Sequence, residues 1–273
     1  MSRKNNIIVL SAALFICIIT AAAVIFSDLI SKKESTPMPE VRIINADAKR
    51  QYHQLSEEQI QSMLDAAYEE YERRKAEGFE AVDPDTVLAQ GETVTLNTGD
   101  FMQYKYQFEA LRHFNENVFQ EQVANKIMKT IYGTFVNTVQ IDNEDLLRQY
   151  LRYHVIAEHA KELGLTVSQQ ELDEFIAATK QNLNDTSSNA ANDTATLVTL
   201  MSKMNGWTEE QYWETPQVRE GYERILLEEK LQQHLMETGQ ANNRKDMETY
   251  EDNVLNTAIR QMNIDWELLN SIP

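Results

Sequence analysis

The chain opens on an unbroken apolar stretch. The twenty residues from Ile7 to Phe26 include no charged side chain, and only Ser11 and Thr20 carry a hydroxyl. At 1.5 Å rise per residue a helix of that length spans ~30 Å, the thickness of a bilayer core. A soluble amphipathic helix would show a polar stripe, and this stretch has none. It predicts a transmembrane helix over residues 7–26. Arg3 and Lys4 precede it and Lys32 and Lys33 follow, so the flanking basic charge is nearly balanced. A short basic stub before a single span also has the shape of an export signal, which places the N-terminus in the cytoplasm. Ala21-Ala22-Ala23 offers a small-residue cleavage site, whereas the continuation through Val24, Ile25 and Phe26 suits an uncleaved anchor. Secretion after cleavage is the alternative. Cys17 follows the bulky Ile16, which argues against a lipid-attachment site.

Beyond the span the pattern changes to helical periods with regular punctuation. Ser35-Thr36-Pro37-Met38-Pro39-Glu40 reads as a linker. A helix then starts at Ser56, whose pairing with Gln59 has the form of a capping box. Ile60, Met63, Leu64, Ala67, Tyr68 and Tyr71 recur at helical spacing, and Gly78 is placed to end the run. Residues 79–100 lose the period, with one short strand expected at Thr93-Val94-Thr95-Leu96. Phe101, Tyr104, Phe108 and Leu111 restore it as an aromatic-rich face. Residues 122–138 are ambiguous, although Ile127, Ile131 and Phe135 keep helical spacing. Asp142-Asn143-Glu144 opens a strong helix that stops at Gly164, and Ser168 with Glu171 opens the next. Residues 184–193 are poor in apolar side chains and read as an exposed loop. A short helix over Leu197–Met204 stops at Gly206, and Thr208 with Gln211 forms a third capping box. Pro216 precedes a long helix from Gln217 to about Met236, ending near Gly239. A last helix is expected from Asn242 to Met262. The fold class is mainly α, with at most one short β segment.

Composition narrows the functions. Among 273 residues, 25 Lys+Arg face 43 Asp+Glu, a formal net charge of -18. From Glu34 onward the count is 21 basic against 42 acidic, so a nucleic-acid partner is excluded as the default. The single cysteine excludes a disulfide framework and any cysteine-based zinc site. Eight glycines and five prolines disfavour turn-dense β folds. His154 and His159 are five apart, which does not place them on one helix face. Paired acids such as Glu57-Glu58, Glu209-Glu210 and Glu228-Glu229 suit helix starts and wet faces. No nucleophile elbow, phosphate loop or zinc-protease motif occurs, so neither a catalytic residue, a metal nor a cofactor is expected.

The aromatic residues are the candidate site. Phe101, Tyr104 and Phe108 on one face, with Trp207, Tyr212 and Trp213 near a helix start, form a candidate groove for apolar polypeptide segments. Core packing is the competing use of the same residues.

Three segments, taken in order, resemble the N-terminal chaperone domain of the SurA/PrsA group of extracytoplasmic folding factors. Gln90-Gly91-Glu92-Thr93-Val94-Thr95 before the helix at Phe101 is similar to that family's opening strand. Leu146 through Leu172, LLRQYLRYHVIAEHAKELGLTVSQQEL, is similar to its long helix and the capped start that follows. Met204 to Leu231, beginning MNGWTEEQYWE, is similar to its aromatic turn and next helix. The resemblance covers residues 88–237. The residue patterns above place a cytoplasmic stub and signal-anchor over 1–33 and a linker with a first extracytoplasmic helix over 34–87, both outside the resemblance, which implies the rest of the order. A SurA-N-like chaperone domain then occupies 88–239, and a returning C-terminal helix 240–273.

Members of that group often carry a parvulin isomerase domain before the last helix. Here the last helix follows Gly239 almost at once, leaving no room for one. The expected function is therefore a membrane-anchored, extracytoplasmic chaperone in a bacterium that binds unfolded or extended segments of exported polypeptides, without isomerase activity. The alternatives are a prolyl isomerase with a degenerate site and an anchored module for one specific partner.

Overall fold

The computed structural model of the chain describes residues 56–123, 142–183 and 189–273. The membrane span predicted over 7–26 and most of the ambiguous stretch 122–138 lie outside the described residues. Among the described residues, no helix is long and apolar enough to cross a membrane.

Helix α1 (Glu57–Ala81) is followed by strands β1 (Val87–Gln90) and β2 (Thr95–Asn97), and then by α2 (Thr98–Val123). Next come α3 (Asn143–Glu162), α4 (Gln169–Leu183), α5 (Asn189–Met204) and the short α6 (Glu209–Glu214). Helix α7 (Pro216–Glu237), α8 (Arg244–Gln261), strand β3 (Asn263–Ile264) and α9 (Trp266–Ser271) complete the order. The described residues are mainly helical.

The three capping boxes form as the side-chain chemistry requires. Ser56 Oγ accepts the Gln59 N–H at 3.2 Å while the Gln59 side chain accepts the Ser56 N–H at 2.9 Å. Ser168 with Glu171 and Thr208 with Gln211 repeat the exchange. Each cap satisfies N–H groups that the helix cannot, contributing about 1 kcal/mol. Gly164, Gly206 and Gly239 adopt positive φ at the ends of α3, α5 and α7.

Three expectations are corrected. Gly78 does not stop α1, which continues to Ala81. The glycine instead marks a close crossing, since a Cβ built there would lie 2.1 Å from the Tyr106 hydroxyl on α2. The single expected strand is replaced by a three-stranded sheet of order β2-β1-β3. Its antiparallel register pairs Ala89 with Leu96 on one side and with Ile264 on the other. Strands of two to four residues carry too little alternation to register as a period. The expected loop over 184–193 is helical from Asn189 onward, because Ala190, Ala191 and Ala195 supply the helix propensity that the polar neighbours lack.

The core centres on α2. Phe101, Met102, Tyr104, Tyr106, Ala110, Leu111 and Phe114 are all buried, and as far as Leu111 the helix is covered on nearly every side. Helix α1 lies along it most extensively, with α5 and α3 alongside. Leu64, Ala67 and Tyr71 of α1 join the same apolar cluster as α2, α3, α5 and α7. A second cluster, with Ile156, Ala160, Leu227, Leu231 and Leu235, fills the space between the later halves of α3 and α7, with α8 packed against it.

The C-terminal residues stitch these layers together. Beyond the β1–β3 pairing, Asp265 N–H donates to Leu88 O at 2.9 Å. Asn143 Nδ2 donates to Leu269 O at 2.9 Å and to Ile272 O at 3.0 Å, while its Oδ1 accepts from Lys105 Nζ. Tyr106 Oη donates to Pro273 O at 3.4 Å.

Candidate functional site

The six aromatic candidates divide between core and surface. Phe101, Tyr104, Tyr212 and Trp213 are buried in the free chain, and Phe108 and Trp207 are partly exposed. Tyr104 packs edge-on to Tyr150 at 5.4 Å and tilts against Phe108 at 6.4 Å. Trp213 packs edge-on to Tyr212 at 5.0 Å and stacks on Tyr222 at 5.9 Å. These contacts serve helix packing. Of the six, Trp213 and Phe108 each border a separate cavity of ≈390 and ≈430 Å³, and Trp207 lines a wider cleft between α1 and the start of α2.

That cleft has a volume of ≈660 Å³ and lies between the later half of α1, the chain entering and leaving the sheet, the first turn of α2 and the α5–α6 turn. Tyr68 and Phe79 of α1 and Trp207 are its aromatic walls. Gly206 at φ +68° turns the chain so that Trp207 follows α5 directly, and the Trp207 N–H donates to Ser202 O at 2.9 Å. Gln103 donates to Asn205 Oδ1 at 3.2 Å, and Gln107, buried beneath, donates to the same oxygen at 3.0 Å. The start of α2 is held by the loop before β1. Thr98 Oγ1 donates to Asp83 O at 2.5 Å, and the Gly99 N–H donates to Pro84 O at 2.9 Å.

Charge in the cleft is uneven. Glu72, Asp85 and Asp100 line it together with Lys75 and Lys203. Lys203 is paired to Asp65 and lies 4.7 Å over the Tyr68 ring, while Lys75 lies 5.3 Å over Tyr71. Asp100 is only 8% exposed. Burial pushes its carboxyl up to about 6, against the restraint of a hydrogen bond from the Asn97 backbone. No cation lies within ion-pair distance of it among the described residues.

The shift makes a stability prediction. The folded chain holds the Asp100 proton up to about pH 6, whereas the unfolded chain releases it near 3.8. The folded state thus binds more protons in that window, so stability falls as pH rises through it and the loss is complete above it. Asp100→Asn is expected to raise the unfolding free energy at pH 7 by about 1–2 kcal/mol, after allowing for lost charge at the α2 N-terminus. At pH 3.5 the two proteins should unfold at nearly the same urea concentration. An Asn variant less stable than the wild type at pH 7 would contradict this account. His154, stacked on Tyr150 at 4.9 Å, is pushed down to about 3 by burial and by nearby Arg224 and Lys161. Its contribution is present above pH ~6.5 and lost in acid, and it is common to both proteins.

Among the described residues the histidines do not assemble into a site. His159 Nε2 lies 2.9 Å from the Tyr250 hydroxyl. Among the described residues no three His, Cys, Asp or Glu side chains group as metal ligands.

No family model matches the chain, and neither does any curated protein or solved structure.

Tyr68, Phe79 and Asp100 escape a reading by periodicity. Tyr68 and Phe79 fall at helical or loop positions that look like ordinary core, and Asp100 looks like a routine first-turn acid. Asp100 directly before a buried aromatic face, in a glycine-flanked helix start, is the one local signal that marks it.

Proposed function

We propose that this protein is a membrane-anchored, extracytoplasmic chaperone-like protein that holds unfolded or extended polypeptide segments without isomerising prolines. The observation that carries the reading is the open cleft of ≈660 Å³ walled by Tyr68, Phe79 and Trp207. Its size suits one or two side chains of an extended segment, and its mixed lining suits sequence-tolerant binding. The apolar span over residues 7–26 and the order of the three resembling segments support the location and the class. The four buried aromatics Phe101, Tyr104, Tyr212 and Trp213 act here as the frame that holds the walls. Phe108 lies outside the cleft lining.

The full chain in detergent micelles, added stoichiometrically to a reduced and unfolded client, is expected to slow its aggregation several-fold. Trp207→Ala should lose most of that effect while keeping the wild-type helical signal. A proline-limited refolding reaction should run at its uncatalysed rate, because binding alone does not speed that step. Unchanged client aggregation would refute the chaperone reading, and an accelerated proline step would replace it with a foldase.

A further inference from the structure

We propose that the cleft at the start of α2 receives a cationic side chain, Arg or Lys, from an extended polypeptide segment, with Asp100 as its charge partner. This rests on the polypeptide-binding reading above and names what the site selects.

The argument begins with an imbalance. A buried carboxylate is normally matched by a cation or by several hydrogen-bond donors. Asp100 has the Asn97 backbone N–H and no ion pair among the described residues. It sits at the edge of an open cleft and not in a sealed core, so the missing cation has a route in. The two ammonium groups in the lining do not answer it. Lys203 is committed to Asp65 and the Tyr68 ring, and Lys75 rests over Tyr71. With Lys203 neutralised by Asp65, the carboxylates of Glu72, Asp85 and Asp100 outweigh the remaining Lys75.

The walls fit the rest of such a side chain. Arg and Lys carry apolar stems that pack on aromatic surface while their heads stay polar, and Trp is the best ring for a cation. Trp207 and Phe79 supply that surface within the same cleft. A volume of ≈660 Å³ admits the side chain with part of its backbone. The net charge of -18 draws basic segments toward the domain and repels acidic ones. An arriving cation would favour the ionised carboxylate and pull the Asp100 pKa back down, so binding and ionisation are coupled.

The test compares labelled twelve-residue unstructured peptides that differ only at one central position, binding the full chain in micelles and read by fluorescence anisotropy. The Arg and Lys peptides are expected to bind at least ten-fold more tightly than the citrulline and acetyl-lysine peptides at pH 7. Asp100→Asn should erase that preference, so that charged and neutral peptides bind the variant alike. Lowering the pH from 7 to 5 should weaken the Arg peptide on the wild type by about ten-fold, as Asp100 takes up a proton, and leave the variant unaffected. Equal binding of charged and neutral peptides, or a preference that survives Asp100→Asn, would overturn the proposal. The citrulline comparison needs no variant, so misfolding of the Asn protein would not shield it. If neutral and charged clients are protected from aggregation equally, the chaperone reading stands and the cation pocket falls. If the Arg peptide binds through Asp100 but no client is protected, the pocket stands and the chaperone reading falls.

Discussion

Arg152→Met is expected to lower the unfolding free energy by about 3–5 kcal/mol, because it leaves acids buried between three helices without their cation. Arg152 projects from α3 and bonds to Glu251 of α8, which is 1% exposed. It also reaches Glu228 of α7 at 3.3 Å. Gln232 adds a weaker donor to Glu251 at 3.3 Å. Burial and the neighbouring Glu251 raise the Glu228 carboxyl above its ordinary range, and Arg152 pulls against both. Burial works to lower the Arg152 guanidinium, but the two carboxylates more than reverse it. Without the guanidinium, nothing opposes the burial and the Glu251 charge that raise the Glu228 carboxyl, so Glu228 takes up a proton more readily. The deficit in Arg152→Met should therefore shrink as pH falls from 7 toward 4. The pairing holds α3, α7 and α8 in register, yet its replacement as a set is a different matter. Combining Arg152→Met with Glu251→Leu and Glu228→Met should recover most of the loss, since apolar groups of similar volume need no solvation. Urea unfolding of the single and triple variants at two pH values decides it. A single variant within 1 kcal/mol of the wild type would show that the guanidinium carries little of the packing.

Gly78→Ala is expected to destabilise by about 2–3 kcal/mol, although the same change in an open helix stabilises by about 1 kcal/mol. The added Cβ would stand 2.1 Å from the Tyr106 hydroxyl and 2.7 Å from its ring carbon Cζ, so either α1 lifts from α2 or the ring turns. Tyr106 is buried, and its hydroxyl also reaches the backbone of Pro273. Movement there would propagate to the C-terminal contacts. The control is the background. In Tyr106→Leu, the Gly78→Ala change should become neutral or stabilising, and thermal melting of the four proteins in the cycle reads the coupling. Additive effects would exclude the clash as the cause.

Much of this fold is written locally. The boxes at Ser56, Ser168 and Thr208 depend on side chains three residues apart and the glycine stops on the backbone at one position, so both are legible without the rest of the molecule. What failed depends on partners distant in sequence. Gly78 looks like a stop because nothing near it in sequence announces Tyr106, and β1 pairs with two residues that follow it by more than 170 positions. The aromatic face at Phe101 is legible as a pattern, but periodicity alone does not separate a groove from a helix start covered on nearly every side. Trp207 was visible as a candidate. Its companions in the cleft, Tyr68 and Phe79, come from α1, a helix outside the region of resemblance.

The closing of β1 by β3 also imposes an order in time. A chain made from its N-terminus at about 5–20 residues per second presents Leu88 roughly ten to thirty seconds before Asp265 follows. Through that interval β1 has β2 on one side and an open edge on the other, a template for any passing strand. The helices can form early, since their caps are local. The sheet edge, the anchor of Asn143 and the Tyr106 contact all wait for the last eleven residues. The nascent chain is thus exposed at one edge until those residues seal it.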